Sequence, residues 1–183
     1  MDLQIAAGIV PLLGWAVHGG ILTRRLATAR RDPLTGLHTR AGWTARAEHC
    51  IRRHPTAAVL LVDLDHFKTL NDTHGHAAGD AALIATADRL RTWCGRNGTA
   101  GRLGGDEFVA VVRDLAAADL DALTAALHQP LPYDGTCLPL AASVGVCHLA
   151  DLPAPLLTDA LAAADAAMYA AKGRGRRGSC SSR

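Results

Sequence analysis

The chain has 183 residues, of which 49% are hydrophobic and 4% aromatic, and its formal net charge is +2 at pH 7. This length and composition suit one domain with its own core and exclude an intrinsically disordered chain. Basic side chains concentrate at both ends, which leaves residues 32–171 acidic, so we expect no nucleic acid to bind along this region.

The first predicted element is a hydrophobic helix. Residues 3–22, LQIAAGIVPLLGWAVHGGIL, contain no acidic or basic side chain except His18, and two arginines follow shortly after. Twenty such residues can span a bilayer, and arginines after the span place the rest of the chain in the cytoplasm. We therefore expect a single N-terminal anchor in the cell membrane. The alternative is a soluble packing helix, which Pro11 and four glycines disfavour.

Helix and strand patterns alternate along the rest of the chain. Asp32, Pro33 and Gly36 break the first helix and mark a domain boundary. The predicted segments are a hydrophobic helix with a basic linker, a folded domain and a short tail, over residues 1–31, 32–178 and 179–183. The predicted elements of the domain are a helix over 40–54, a buried strand over 57–65, helices over 66–74 and 79–94, a hairpin over 99–112, a helix over 116–127, a strand over 139–149 and a helix over 158–172. This order predicts an α/β fold with a central mixed sheet flanked by helices.

Two aspartates, Asp63 and Asp65, lie at the end of the predicted buried strand, where α/β folds place ligand-binding groups. If the hairpin strand that ends at Gly104 pairs beside this strand, Asp63 and Asp106 converge on one hard cation. Magnesium prefers such oxygen ligands and completes its shell with water and phosphate oxygens. Each aspartate alone is more typical of a helix cap (Asp63) or a turn (Asp106) than of a metal site, so the metal interpretation depends on the neighbouring residues.

The segment DLDHFKTLNDTHGHAAGD supplies further groups close to that strand end. The ammonium of Lys68 suits a phosphate. Asn71 and Asp80 suit the edge of a guanine, whose N1 and N2 donors pair with a carboxylate. Together with the aspartates, these residue types predict a site for a purine nucleoside triphosphate.

Six ordered motifs resemble those of the GGDEF domain family, the diguanylate cyclases. They are DPLTGL at 32–37, DLDHFKTLND at 63–72, HGHAAGD at 74–80, RLGGDEF at 102–108, SVGV at 143–146 and ADAAMYAAKGRGR at 164–176. The resemblance covers residues 31–178 and implies a fold like that of nucleotidyl cyclases and polymerase palm domains, with the signature on a β-hairpin. It also implies condensation of two GTP into cyclic di-GMP with release of two pyrophosphates. Each domain holds one GTP, so catalysis requires a homodimer.

The resemblance also implies roles for the acidic residues. Asp63, Asp106 and the backbone carbonyl of Leu64 match the ligands of Mg²⁺ (or Mn²⁺). Glu107 adjoins them, and it either helps to bind the metal or activates the ribose 3′-hydroxyl. Arg102 matches a charge-stabilising group near the reacting phosphates.

Other matching residues contact the substrate. The triphosphate contacts implied by the resemblance are Lys68, Lys172 and Arg176. The guanine contacts are Asn71 and Asp80. Gly104 and Gly105 let the backbone approach the nucleotide, because glycine has no side chain in the way.

One departure from the family pattern concerns product inhibition. Many members carry an Arg-x-x-Asp motif that binds cyclic di-GMP, but the matching positions here are Gly95 and Gly98. We therefore expect no inhibitory site of that kind.

An inactive module that only senses GTP or cyclic di-GMP is the main alternative to catalysis, although the signature and the metal-binding aspartates are all present. A hybrid cyclase that uses ATP is disfavoured, because Asp80 should repel an adenine edge.

Overall fold

The computed structural model describes residues 30–178, with side chains as far as Lys172. The hydrophobic helix predicted over residues 3–22 and the tail over 179–183 lie outside the described residues. Among the helices of residues 30–178, none combines the length and apolar character that a membrane crossing requires.

The described residues form a mixed sheet with helices on both faces. In chain order the elements are β1 (His38–Thr39), α1 (Arg40–Ile51), β2 (Ala58–Leu64), α2 (Phe67–His74), α3 (His76–Cys94), β3 (Gly98–Gly104), β4 (Glu107–Val112), α4 (Leu120–Leu127), β5 (Leu131–Tyr133), β6 (Thr136–Leu138), β7 (Ala142–His148), a 3-10 helix (Leu149–Asp151) and α5 (Leu157–Gly178). The main sheet has the order β1-β3-β4-β2-β7, and β5 pairs with β6 separately. Because β1 is parallel to β3 while the other neighbours are antiparallel, the predicted mixed sheet is confirmed.

Strand β2 forms the centre of the domain because its residues are apolar on both faces. Val59 and Leu61 pack with α1 and α5 on one face. Leu60 and Val62 pack with α3 and α4 on the other. Since side chains alternate along a strand, Asp63 projects to the same face as Leu61, at the point where the buried strand ends.

The pairing of the hairpin differs from our expectation. The strand that ends at Gly104 does not pair with β2; its partner strand β4 does, in a register that sets Glu107 opposite Asp63. The reason is burial. Strand β4, EFVAVV, is buried in all but its first residue, whereas β3, GTAGRLG, includes half-buried and exposed positions. A strand that is apolar on both faces occupies the interior of a sheet, so β4 lies between β3 and β2.

Several further elements differ from the predicted ones: α3 begins at His76 instead of residue 79, and α5 continues to Gly178 instead of ending at residue 172. The helix predicted from residue 116 begins at Leu120, because Asp119 accepts a hydrogen bond from Ala122 N over 2.8 Å and caps it. Strand β1 was not predicted, because two residues are too few to show the alternation of apolar and polar side chains that indicates a strand. The β5–β6 hairpin was also not predicted, although its turn residues Asp134 and Gly135 have the positive φ angles typical of a tight hairpin.

Candidate functional site

The turn between β3 and β4 is open on its outer side. Gly104 and Gly105 have φ angles of +149° and +52°, which glycine adopts without strain. A Cβ atom at either position would have no neighbour within 4 Å among the described residues. The amide N–H of Leu64 donates to the backbone oxygen of Asp106 over 3.3 Å. The turn is therefore joined to the end of β2 and leaves room for another molecule above it.

Two carboxylates face each other where β2 and β4 meet this turn. Asp63 pairs directly with Glu107 in the antiparallel register, so both side chains project to the face covered by α1 and α5. A cavity of about 230 Å³ borders both of them and is also lined by Arg40 and Asp165. Asp106 lies in the turn itself. The carboxylate opposite Asp63 is thus that of Glu107, one residue further along the signature than we expected.

Helix α5 adds a cation to this pair. Nζ of Lys172 donates to Oδ1 of Asp63 over 2.6 Å, and the two side chains are 35% and 17% exposed. The helix lies close to β7 because Gly145 has no side chain; a Cβ there would collide with the backbone of Ala164 and Met168. Close packing of α5 on the sheet therefore brings Lys172 to the strand end.

Sequence analysis did not identify Asp165 as part of this site. Asp165 precedes Lys172 by seven residues, or about two helical turns, so both lie on the same face of α5. That spacing is visible in ADAAMYAAK. The spacing identifies Asp165 as part of the site only when the direction in which α5 crosses β7 and β2 is known.

The donors at this strand end fit a hard divalent cation. Asp63 and Glu107 lie opposite each other where β2 and β4 meet, the backbone of Asp106 is hydrogen-bonded to that of Leu64 beside them, and a lysine ammonium contacts Asp63. No three His, Cys, Asp or Glu side chains of the described part are close enough to hold an ion alone. An ion bound here therefore depends on water or phosphate oxygens for part of its shell.

Helices α2 and α3 carry the two residues expected to contact guanine, and the side chain of Asn71 on α2 lies against α3 at the residue before Asp80. The helices are joined at Gly75, whose φ angle is +85° and whose N–H donates to Asn71 O over 2.8 Å. Oδ1 of Asn71 lies against Gly79, where a Cβ atom would collide with it. Asp80 follows on the exposed side of α3. Lys68 is exposed on α2 and precedes Asn71 by three residues, so the two share a face of that helix.

Arg102 connects two loops rather than pointing into the open space. Its Nε and Nη2 atoms donate to Gly105 O over 3.0 and 2.7 Å, and Nη1 donates to Oδ1 of Asp32 over 3.1 Å. The same Oδ1 accepts hydrogen bonds from N and Oγ1 of Thr35 over 2.8 and 2.6 Å. Burial opposes ionisation of Asp32, but these hydrogen bonds and the charge of Arg102 lower its pKa overall. Arg102 thus orients the signature turn, and its charge-stabilising role stays a prediction.

The expected positions that remain are the phosphate contact Arg176 and the two glycines at the inhibitory motif. Arg176 lies on α5 beyond the last described side chain, so its phosphate contact stays a prediction. Gly95 ends α3 with a φ angle of +46°, and Gly98 begins β3. A Cβ at Gly98 would lie 2.6 Å from the backbone oxygen of Val111, which leaves no room there for the aspartate of the inhibitory motif.

The sequence was compared with protein-family models and with known proteins, and both comparisons match it to the GGDEF domain family or to a close relative of the whole chain. The family model described as "Diguanylate cyclase, GGDEF domain" matches residues 29–178. An uncharacterized 19.3 kDa protein in the repSA 5′ region of Streptomyces ambofaciens is 83% identical over 179 residues, which cover 98% of each chain. The similarity to that relative therefore extends over residues that precede the described fold.

A second relative and a solved structure each match about four fifths of this chain. Diguanylate cyclase TpbB of Pseudomonas aeruginosa is 38% identical over 161 residues, which are 81% of this chain and 36% of the relative. A solved sensory box/GGDEF family protein of Caulobacter crescentus aligns with a TM-score of 0.73 and 39% identity over 80% of this chain and 99% of that chain. The chain thus spans about a third of the Pseudomonas cyclase.

Proposed function

Because the chain belongs to the GGDEF domain family, we propose that it is a diguanylate cyclase. It condenses two molecules of GTP into cyclic di-GMP and releases two pyrophosphates. The observation that supports the proposal most strongly is the pairing of Asp63 with Glu107 beneath an open glycine turn, with Lys172 in contact. Opposed carboxylates with a nearby lysine suit a triphosphate bound together with a metal ion.

Recognition of GTP depends on two sets of residues in this proposal. Asn71 and Asp80 bind the guanine edge, since Asp80 accepts from the N1 and N2 donors that adenine lacks. Lys68, Lys172 and Arg176 bind the phosphates. Lys172 leaves Asp63 when the triphosphate arrives, because phosphate oxygens offer it more negative charge than one carboxylate does.

The chemistry is an in-line displacement at the α-phosphorus. The ribose 3′-oxygen of one GTP attacks this atom in the other, and the bond to the pyrophosphate oxygen breaks. Asp63, Asp106, Glu107 and the carbonyl of Leu64 would hold Mg²⁺ (or Mn²⁺), which neutralises phosphate charge and lowers the pKa of the attacking hydroxyl when bound. Glu107 also accepts the proton of the 3′-hydroxyl. Arg102 keeps the turn in place while the phosphates bind above Gly104 and Gly105.

A homodimer follows from this geometry. One domain holds one GTP, so each 3′-hydroxyl needs an α-phosphate from a second copy of the chain. The open signature turn supports such an encounter, because a Cβ atom at Gly104 or Gly105 would have no neighbour within 4 Å among the described residues. We infer further that residues 3–22 form a single membrane helix that keeps the domain in the cytoplasm and concentrates its partners. Full-length protein should then sediment with membranes, and a detergent-free dimer in the supernatant would contradict the anchor.

The experiment that tests the activity incubates the full chain with GTP and MgCl₂ and identifies nucleotides by mass spectrometry. Cyclic di-GMP should form with the wild type. It should not form with Asp63→Ala or with Asp106→Ala, because both variants lose a metal ligand. Asp121→Asn is the matched control, because this exposed aspartate of α4 lies away from the site. Tight GTP binding by the wild type without any product would instead favour the inactive sensor.

A further inference from the structure

A second and larger cavity lies away from the nucleotide site. It has a volume of about 850 Å³ and opens between α1 and the ends of β3 and β4 that are opposite the signature turn. Its lining includes five arginines: Arg30, Arg31, Arg46, Arg53 and Arg113. The residues that bind GTP in the proposed function do not take part in it. The cavity therefore needs its own explanation.

The charges in this cavity are not balanced within the described part of the chain. Its described lining contains no aspartate or glutamate. Among residues 30–172 none of the five guanidinium groups forms an ion pair, and Arg31 donates only to the backbone oxygen of Gly36, over 2.8 Å. Five like charges around one cavity repel each other, so a bound anion would stabilise the fold at this position.

A histidine provides an independent indication of a ligand. His38 lines the cavity, is 8% exposed, and its Nδ1 atom is buried without a hydrogen-bond partner. Buried polar atoms in native proteins nearly always have a partner, so an unpartnered one indicates a water or ligand. Burial, reinforced by the charges of Arg31 and Arg46 and opposed by the backbone of Arg30, lowers the pKa of His38 overall. The imidazole carries at least one N–H in either protonation state, which an anion in the cavity can accept.

The lining also restricts the kind of anion. The described lining has no aromatic side chain to stack on a nucleobase and no carboxylate to pair with guanine. Arginine forks bind phosphate oxygens in pairs, and the cavity is large enough for several linked phosphates. The hydrophobic segment at residues 3–22 contains no acidic side chain that could neutralise the arginines instead. The lining therefore favours a ligand with several linked phosphate groups and without a nucleobase.

We propose that this cavity binds condensed inorganic phosphate, from pyrophosphate to short polyphosphate chains, through the five arginines and His38. Bound phosphate bridges α1 to the outer ends of β3 and β4. Binding is independent of the carboxylates around Asp63 and of magnesium. The proposal does not require that the protein makes cyclic di-GMP.

The test measures binding of sodium tripolyphosphate to the full chain in EDTA, by calorimetry and by the shift in melting temperature. The Arg46→Gln/Arg53→Gln double variant should lose at least about tenfold in affinity, since each removed charge-assisted contact is worth roughly 1.5 kcal/mol or more. Arg52→Gln is the matched control. Arg52 directly precedes Arg53 in the turn after α1, but its guanidinium lies 4.0 Å from a carboxylate oxygen of Glu48 and outside the cavity lining.

Several outcomes would overturn the proposal. These are no binding of tripolyphosphate, an equal loss in the control, or the same thermal shift from sodium sulfate at matched ionic strength. A loss of tripolyphosphate affinity in Asp63→Ala or Lys172→Met would assign the binding to the nucleotide site. Competition by cyclic di-GMP, with the same dependence on Arg46 and Arg53, would assign the cavity to that nucleotide. Retained tripolyphosphate binding in the presence of excess GTP and cyclic di-GMP would support a separate phosphate site.

Discussion

Arg102 and Asp32 are 70 residues apart in the sequence, and Nη1 of the arginine donates to Oδ1 of the aspartate over 3.1 Å. The same guanidinium donates twice to the backbone oxygen of Gly105 in the signature turn. The loop that opens the domain therefore determines the position of the turn beneath which Asp63 and Glu107 face each other. A substitution of Asp32 should therefore change the position of the signature turn, although Asp32 itself does not line the site.

The stability contributed by Asp32 should depend on pH. Its pKa in the folded protein is lower than the ordinary 3.8, so its contribution is complete above pH 3.8 and is lost as the pH falls through the folded value. Asp32→Asn should lower the free energy of unfolding at pH 7 by about 1.5 to 3 kcal/mol, the range for hydrogen bonds to charged groups. Urea unfolding at pH 7 and pH 3 measures this difference. An equal difference at both values would show that ionisation of Asp32 contributes nothing.

Replacement of Gly79 should impair guanine recognition from a buried position. A Cβ at residue 79 collides with Oδ1 of Asn71. Gly79→Ala should therefore displace Asn71 and raise the KM for GTP about tenfold, since a lost hydrogen bond costs about 1 to 1.5 kcal/mol. The helix itself should not suffer, because alanine favours helices more than glycine does.

The control for this prediction is a double variant. Once Asn71→Ala has removed the colliding side chain, adding Gly79→Ala should change the KM no further. Steady-state kinetics and thermal unfolding of the four proteins separate recognition from stability. A double variant that is much worse than Asn71→Ala alone would mean that Gly79 acts through something other than Asn71.

Lys172 should have opposite effects on metal binding and on turnover. Its ammonium contacts Asp63 over 2.6 Å, so it competes with any cation for that carboxylate. Lys172→Met should bind Mn²⁺ several-fold more tightly without nucleotide, in keeping with the modest energies of partly exposed ion pairs. Cyclic di-GMP synthesis should nevertheless fall, because a phosphate contact is lost. Electron paramagnetic resonance titration and product assays measure the two effects, and unchanged Mn²⁺ affinity would contradict the competition.

Product inhibition should be purely competitive with GTP. Gly95 and Gly98 carry no charge at the positions of the family's inhibitory motif, and Gly98 has no space for a side chain. Raising the GTP concentration should therefore remove inhibition by added cyclic di-GMP completely. Inhibition that persists at saturating GTP would reveal a separate product site.

The cysteines should differ strongly in reactivity. Burial raises the pKa of Cys94 to about 12, so almost no thiolate is present near neutral pH, whereas Cys137 is exposed on β6. Iodoacetamide at pH 8 should alkylate Cys137 and leave Cys94 unmodified until the protein unfolds. Peptide mass spectrometry gives the modified fraction of each, and early alkylation of Cys94 would indicate local opening of α3.

The sequence predicted the buried strand β2 better than it predicted which strand lies beside it in the sheet. The acid-terminated run at 57–65 predicted β2 and the location of Asp63, since apolar runs of that length indicate buried strands. The hairpin strand that pairs with β2 is β4, because β4 is buried on both faces in the folded sheet. The local pattern of apolar residues does not predict this pairing. Asp165 was missed for a similar reason. Its place in the lining of the cavity that Asp63 also borders depends on the close packing of α5 at Gly145, a contact between residues far apart in the chain.

The crowding at Gly98 limits how feedback control could be regained in evolution. An aspartate at this position would meet the backbone oxygen and a side chain of the neighbouring strand β4, so the hairpin would have to shift before the residue could be accommodated. Gly95 would also have to change, and its φ angle of +46° strains other residues. Restoring the charged pair thus requires two substitutions, each unfavourable alone. Under the proposed function, a protein with this backbone would have its product limited by the amount of enzyme or by degradation of cyclic di-GMP, and not by this inhibitory motif.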